Sequence, residues 1–267
     1  MHDKPVLLTY LPHGSNPKYF YPIDQTSPDW NDFNKFKDDF YKKNGNPEFV
    51  ILFNNRNIRR KSPGDVILSY KRFCDGLPKD KAKKCCLVMK TSLVDDNGTD
   101  LMAVKRAICP DHRVVFIDSL LETKQMNWLY NITDCLVFLS SAEGFGLAAN
   151  EFMMVGNGIV IAPVTGGLQD QMRFCYSSET NPVSINSTFT TNHRGRYATH
   201  GEWCIPLFPS ARVLNGSPAT PFIFDDYVDA ENVAEAIDQV YNVPVEDRKR
   251  RGRLGRSWVL SQESKMS

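Results

Sequence analysis

The sequence has almost no net charge: 32 basic residues stand against 31 acidic ones, which leaves +1 at pH 7. A balance that close offers no long-range field to a polyanion, so nucleic acid is not an expected partner. The densest basic run, DRKRRGRLGR at 247–256, reads as the solvated face of a helix. A paired-cysteine motif is also missing. Seven cysteines (Cys74, Cys85, Cys86, Cys109, Cys135, Cys175 and Cys204) lie scattered through apolar runs with no CxxC spacing. An odd, unpaired set suggests reduced thiols in a cytoplasmic setting and argues against a metal centre. No apolar run approaches the ~20 residues that a membrane-spanning helix needs. VLLTYL at 6–11 is too short for the core of a signal peptide, and Asp3 and Lys4 precede it. There is no internal repeat and no low-complexity tract. What is present, 42% hydrophobic and 24% charged residues over 267 positions, is ordinary globular usage, enough for one large core or two smaller ones.

From residue 47 to residue 174, short β-rich runs alternate with helical patterns. EFVILF (48–53), CCLVMK (85–90), RVVFI (113–117), CLVFLS (135–140) and GIVIAPV (158–164) are separated by helical spacings at 63–77, 99–108, 122–132 and 146–155. The strands are apolar throughout rather than at every second position, which implies a parallel sheet covered by helices on both faces. The stretch 175–221, rich in Ser, Thr, Asn, Gly and Pro, breaks the rhythm. A last strand, PFIFDD (221–226), leads into a helix capped by Asp229, with Val233, Ala236, Ile237 and Val240 on its apolar face. These patterns divide the chain into a linker or hinge segment (1–24), a Rossmann-like domain (25–245) and a C-terminal helix cut short at 246–267.

Ligands of open parallel sheets bind beyond the carboxyl ends of the strands, so the residues that follow each apolar run matter most. EFVILF is followed by a loop carrying Arg56, Arg59, Arg60 and Lys61. Arg56 and Lys61, five positions apart, suit a diphosphate; the alternative is a solvated basic loop. CLVFLS is followed by SAEGFGLAANE, where two glycines let backbone approach a ligand and a helix beginning near Gly146 or Leu147 turns its N-terminus to an anion. Glu143 and Glu151 flank that turn. Glu151 sits in LAANEFMMV, otherwise almost wholly apolar, and a carboxylate removed from water without a partner costs several kcal/mol or more. Something must meet it. The plainer alternatives are a surface acid at 143 and a helix-dipole acid at 151. After GIVIAPV comes TGGLQDQM, whose Gly166 and Gly167 open a second turn able to give N–H groups to another anionic part of a ligand.

With these stretches in order, the chain resembles the retaining GT-B glycosyltransferases of the large family that carries an E-x7-E motif and a "group 1" glycosyl transferase signature. YLPHGSN (10–16), NRNIRRKSP, VVFIDSL, MNWLYNITDCLVFLSSAEGFGLAANEFMMVGNGIVIAPVTGG and DDYVDAENVAEAI carry the likeness. The resemblance implies the C-terminal half of a GT-B fold and a nucleotide-sugar donor, a UDP- or GDP-sugar bound as substrate, with no cofactor and no metal. It implies that Arg56 and Lys61 hold the diphosphate and Glu151 the ribose hydroxyls. Glu143, with Gly144, Phe145, Gly146 and Leu147, would meet the sugar, and Val115, Phe116, Ile117 and Asp118 the base edge. Transfer would run with retention by a front-face route. Three departures stand out. CLVMKTSLVDDNG lacks the family's Gly-x-Gly turn, Asp170 stands where a glutamate is usual, and no acceptor-binding domain precedes YLPHGSN. The expectation is a donor-binding domain that works with an acceptor domain in cis or in trans. The alternatives are a non-catalytic nucleotide-binding module, or a phosphorylase or epimerase of the same fold.

Overall fold

A computed structural model describes residues 12–174 and 199–263. VLLTYL, the first two residues of YLPHGSN, Cys175 and most of the polar stretch that follows it lie outside the described residues. In chain order the elements are α1 (Trp30–Lys43), β1 (Phe49–Asn54), a 3-10 turn (Arg59–Lys61), α2 (Pro63–Asp75), α3 (Lys79–Ala82), β2 (Cys85–Lys90), α4 (Leu101–Ile108), β3 (Val114–Ile117), α5 (Thr123–Asn131) and β4 (Cys135–Val137). They continue with α6 (Leu147–Val155), β5 (Ile159–Pro163), α7 (Leu168–Gln171), β6 (Cys204–Leu207), β7 (Ala211–Leu214), β8 (Phe224–Tyr227), α8 (Ala230–Asn242) and α9 (Val245–Glu263).

Six strands form one parallel sheet in the order β3-β2-β1-β4-β5-β6. Because strand side chains alternate between faces, the continuous apolar runs feed two cores. Val50, Leu52, Leu136 and Val160 pack under α1, α5, α6 and α9. Phe49, Ile51, Phe53, Val137 and Ile161 pack under α2, α4 and α8. The fold is thus a Rossmann-like parallel sheet with helices on both faces. The strand order reverses between β1 and β4: the chain runs outward from β1 to β3, returns to β4, and continues on the other side. At such a switch point the two following loops part to opposite faces and leave a crevice at the carboxyl edge.

The structure corrects four sequence expectations. β4 is three residues long, not six, because the chain leaves the sheet to form the crevice loop. PFIFDD is a strand only from Phe224 on, and this β8 pairs antiparallel with β7 in a separate two-stranded ribbon. The sixth strand, β6, and the helix α1 were not anticipated. Finally, the basic run is not a solvated face throughout. Arg248 is 6% exposed and lies 3.1 Å from Asp134, and Arg256 donates to the carbonyl of Met154 near the C-terminus of α6. Gly252 lies directly against the Gly156 backbone, so α9 approaches α6 closely enough for these cations to answer buried acceptors. Among the described residues, no helix is long and apolar enough to cross a membrane.

Candidate functional site

The loops after β1 and β4 touch at the carboxyl edge of the sheet, beside the switch point. Ser141 N–H donates to the Arg60 carbonyl at 2.8 Å and Arg60 Nη1 donates to the Ala142 carbonyl at 2.9 Å, which ties the two loops edge to edge. That contact delivers Lys61 to Glu143. Lys61 is 6% exposed, its Nζ hydrogen-bonds to Glu143 Oε2, and it lies 4.9 Å from the centre of the Phe138 ring. Ser140 Oγ donates to the same carboxylate oxygen at 3.2 Å, and Arg60 Nη1 stands 3.6 Å from it. Burial pulls the Lys61 ammonium below the usual lysine range, and the Glu143 carboxylate partly restores it. A buried cation is costly unless an opposite charge meets it, and Glu143 is the anion that does so here.

Arg56 is not brought to this cluster. Its side chain is 63% exposed and its guanidinium pairs with Asp95 on the neighbouring loop at 2.9 Å, which raises its pKa. The cation beside Lys61 is Arg60, one position away in sequence and facing the same Glu143 oxygen. Arg60 lies in the short 3-10 turn and Arg56 before it, and the sequence does not mark where that turn begins.

The Gly-Phe-Gly turn is held from behind. Gly146, at φ +86°, caps α6 in the left-handed region that glycine adopts without cost. Gly144 faces open space, whereas a side chain on Gly166, itself at φ +49°, would strike the Glu143 carbonyl. Gly167 N–H donates to that same carbonyl at 3.1 Å. Sequence reasoning left that N–H to a ligand; in the structure it supports the first turn instead, because the loops after β4 and β5 pack backbone to backbone. Leu147 and Ala148 open the helix, where the first N–H groups have no intrahelical acceptor.

Several supporting residues were not foreseen. Gln171 donates to the carbonyls of Phe145 and Gly146, Thr165 Oγ1 donates to Asp226 at 3.0 Å, and Ser141 Oγ donates to Asp225 at 2.9 Å. The acidic pair that ends PFIFDD therefore braces the loops after β4 and β5 from the ribbon side. His13, from YLPHGSN, sets its ring edge-on to Phe145 at 5.2 Å.

Glu151 finds its partner inside the protein. The hydroxyl of Tyr130, on α5, donates to Glu151 Oε2 at 2.7 Å and accepts from Asn54 Nδ2 at 2.7 Å. Burial pushes the Glu151 carboxyl above its ordinary value, and the tyrosine hydrogen bond opposes that rise. Val115, Phe116 and Ile117 lie on edge strand β3, two strands from β1, with their side chains packed into the two cores, and Asp118 is exposed beyond them. Asp170 is exposed on α7. Among the described residues no group of three or more His, Cys, Asp or Glu side chains gathers in a way that would hold a metal ion.

No protein-family model and no curated protein matches this sequence. Solved structures do. The chain superposes on sucrose-phosphate synthase from Thermosynechococcus elongatus with a TM-score of 0.60 at 20% identity, over 94% of this chain and 47% of that one. It matches the C-terminal domain of a glycosyl transferase group 1 family protein (LpcC) from Francisella tularensis with a TM-score of 0.59 at 17% identity, over 93% and 97%. It matches Anabaena HepE, solved in complex with UDP-glucose, with a TM-score of 0.60 at 14% identity, over 93% and 51%. The chain spans about half the length of sucrose-phosphate synthase and HepE and nearly all of the LpcC C-terminal domain. Its fold is that of the C-terminal half of a GT-B glycosyltransferase.

Proposed function

We propose that this chain binds a nucleotide sugar, UDP- or GDP-linked, and forms the donor half of a retaining glycosyltransferase that works without a metal ion. One observation carries the reading. At the switch point of the sheet, a buried ammonium, a guanidinium, a carboxylate and the N-terminus of α6 converge on one crevice, in a fold shared with a protein solved with UDP-glucose. Lys61 and Arg60 supply fixed positive charge for the departing diphosphate, the place a divalent ion takes in other designs, and donors fixed beforehand in such a site are worth several kcal/mol of barrier. Glu143 and the open backbone at Gly144 stand where the sugar would lie, and Glu151 on the ribose side.

In the reaction the bond between the anomeric carbon and the phosphate oxygen breaks. A bond to the acceptor oxygen forms on the same face, and the acceptor proton passes to the departing phosphate. The acceptor is held by a second domain, in cis or in trans. Titration calorimetry in excess EDTA tests the donor half of this reading: UDP or GDP binds and the matching nucleoside binds far more weakly. Binding of neither diphosphate, or loss of binding in the chelator, overturns it.

A further inference from the structure

Glu151 is the acid that the apolar helix should not tolerate, and the group that answers it is a neutral phenol. Resting on the reading of Glu151 as the acceptor of ribose hydroxyls, we propose that Tyr130, oriented by Asn54, is the positioning residue that makes this site prefer ribonucleotides to 2′-deoxyribonucleotides.

Tyr130 is fully buried, and the rings of Phe20 and Phe152 stand edge-on to it at 5.8 and 5.9 Å, so its ring is fixed. Its hydroxyl has one proton to give. Asn54 Nδ2 occupies its acceptor side, and Glu151 Oε2 takes the proton. Asn54 is the last residue of β1, so the network starts at the carboxyl edge of the sheet, beside the switch point. The result is a glutamate whose long side chain is already held at one oxygen before any ligand arrives. A carboxylate offers about four lone-pair positions. With Oε2 engaged by Tyr130, Oε1 keeps a fixed aim and accepts from a vicinal pair of hydroxyls. An untethered glutamate would swing to whichever single hydroxyl a deoxyribose retains, and discrimination would fade. Ordering the acceptor in advance also removes a side-chain entropy cost from each binding event. The hydroxyl of Tyr130 links Asn54 to Glu151, and a phenylalanine would fill the same space without that link.

The test is titration calorimetry of wild type, Tyr130→Phe and Asn54→Ala with UDP and 2′-deoxy-UDP, or with GDP and 2′-deoxy-GDP if the site takes guanine, and with inorganic pyrophosphate as a probe that meets no ribose. Wild type prefers the ribonucleotide by about tenfold or more, the size of one hydrogen bond to a charged group. Tyr130→Phe reduces that preference to about twofold and leaves pyrophosphate affinity unchanged, whereas a merely structural loss would weaken all three ligands alike. If wild type itself shows no preference, the ribose reading of Glu151 fails. If wild type discriminates and Tyr130→Phe discriminates equally, the positioning role fails. Should Tyr130→Phe not fold, Asn54→Ala decides: a diminished preference supports the role, and an unchanged one overturns it.

Discussion

Glu143 and Glu151 stand eight residues apart on either side of one loop-to-helix junction, and the fold compensates them by different chemistry. Glu143 is met by an ammonium, a guanidinium and a hydroxyl. Glu151 is met by one phenol. An opposite charge stabilises a carboxylate strongly, but the same charge also attracts any other anion that enters. In the proposed function Lys61 would be shared between Glu143 and an incoming phosphate. A phenol stabilises less, gives its single proton, and binds no phosphate in competition. On that proposal one acid would exchange partners when a ligand arrives, and the other would be held in place throughout.

The harshest way to break this contrast is to move the Glu143 loop while leaving α6 alone. Gly166→Ala introduces a methyl group against the Glu143 carbonyl and forces a side chain into φ +49°, so both the contact and the backbone are strained. Chemical denaturation should show a loss of about 3 kcal/mol, at the upper end for overpacking at a tight site. A loss under about 1 kcal/mol would show that the two turns part easily and do not fix the carboxylate.

Next in size is the ion pair itself. Removing one partner of a buried pair strands the other, at about 3 kcal/mol, whereas removing both is much milder. Lys61→Met and Glu143→Gln should each destabilise, and the double variant should cost less than the sum by about 1 to 3 kcal/mol. Additive losses would mean that the contact exists without energetic consequence. Glu143→Gln should also bind nucleoside diphosphate at least as tightly as wild type, because it frees Lys61 for phosphate.

Much of the frame behind these residues was legible in the sequence. Strands buried on both faces leave continuous apolar runs, and β1, β2 and β5 were read from them almost to the residue. α1 was missed because WNDFNKFKDDFYKK buries only Phe33 and Phe40, too sparse a stripe to stand out among charges. β6 was missed because CIPL is four residues long and carries Pro206, which only an edge strand accommodates. At the site, the sequence marked Lys61, Glu143 and Glu151 through composition and place. It did not reveal Tyr130, which stands in ETKQMNWLYNI as one more aromatic of a buried helical stripe. Nor did it reveal the brace from Asp225 and Asp226, because only the folded chain brings the ribbon to the crevice.

A smaller effect separates the acids by pH. Burial holds the Glu151 carboxyl above its ordinary value. A raised carboxyl contributes stability that is fully present below the unfolded value and is lost as pH rises through the folded one. Deprotonating Glu151 in the fold therefore costs stability, and Glu151→Gln should melt higher than wild type at pH 7, with the difference closing at acid pH as the carboxyl is protonated. Thermal melts at both pH values check this, and an equal or lower melting temperature for the variant at pH 7 would mean that the Tyr130 bond outweighs the burial. Nucleotide affinity should fall in the same variant, so stability and binding move in opposite directions.

The smallest expected effect is also the one on which family likeness and geometry disagree. The resemblance assigns the diphosphate to Arg56 and Lys61, whereas in the folded chain Arg56 is turned outward, largely exposed and engaged by Asp95, and Arg60 is the guanidinium near Glu143. An exposed pair is screened by solvent and gives little when broken. Arg56→Ala should therefore change diphosphate affinity by less than about twofold, while Arg60→Ala weakens it more. Calorimetry on the two variants with the same diphosphate decides between them. If Arg56→Ala proves the more damaging, the guanidinium must leave Asp95 to reach the ligand, and Asp95→Asn, which removes the competing carboxylate, should then tighten binding. If Asp95→Asn leaves affinity unchanged as well, Arg56 belongs to the loop's fold and Arg60 to its chemistry.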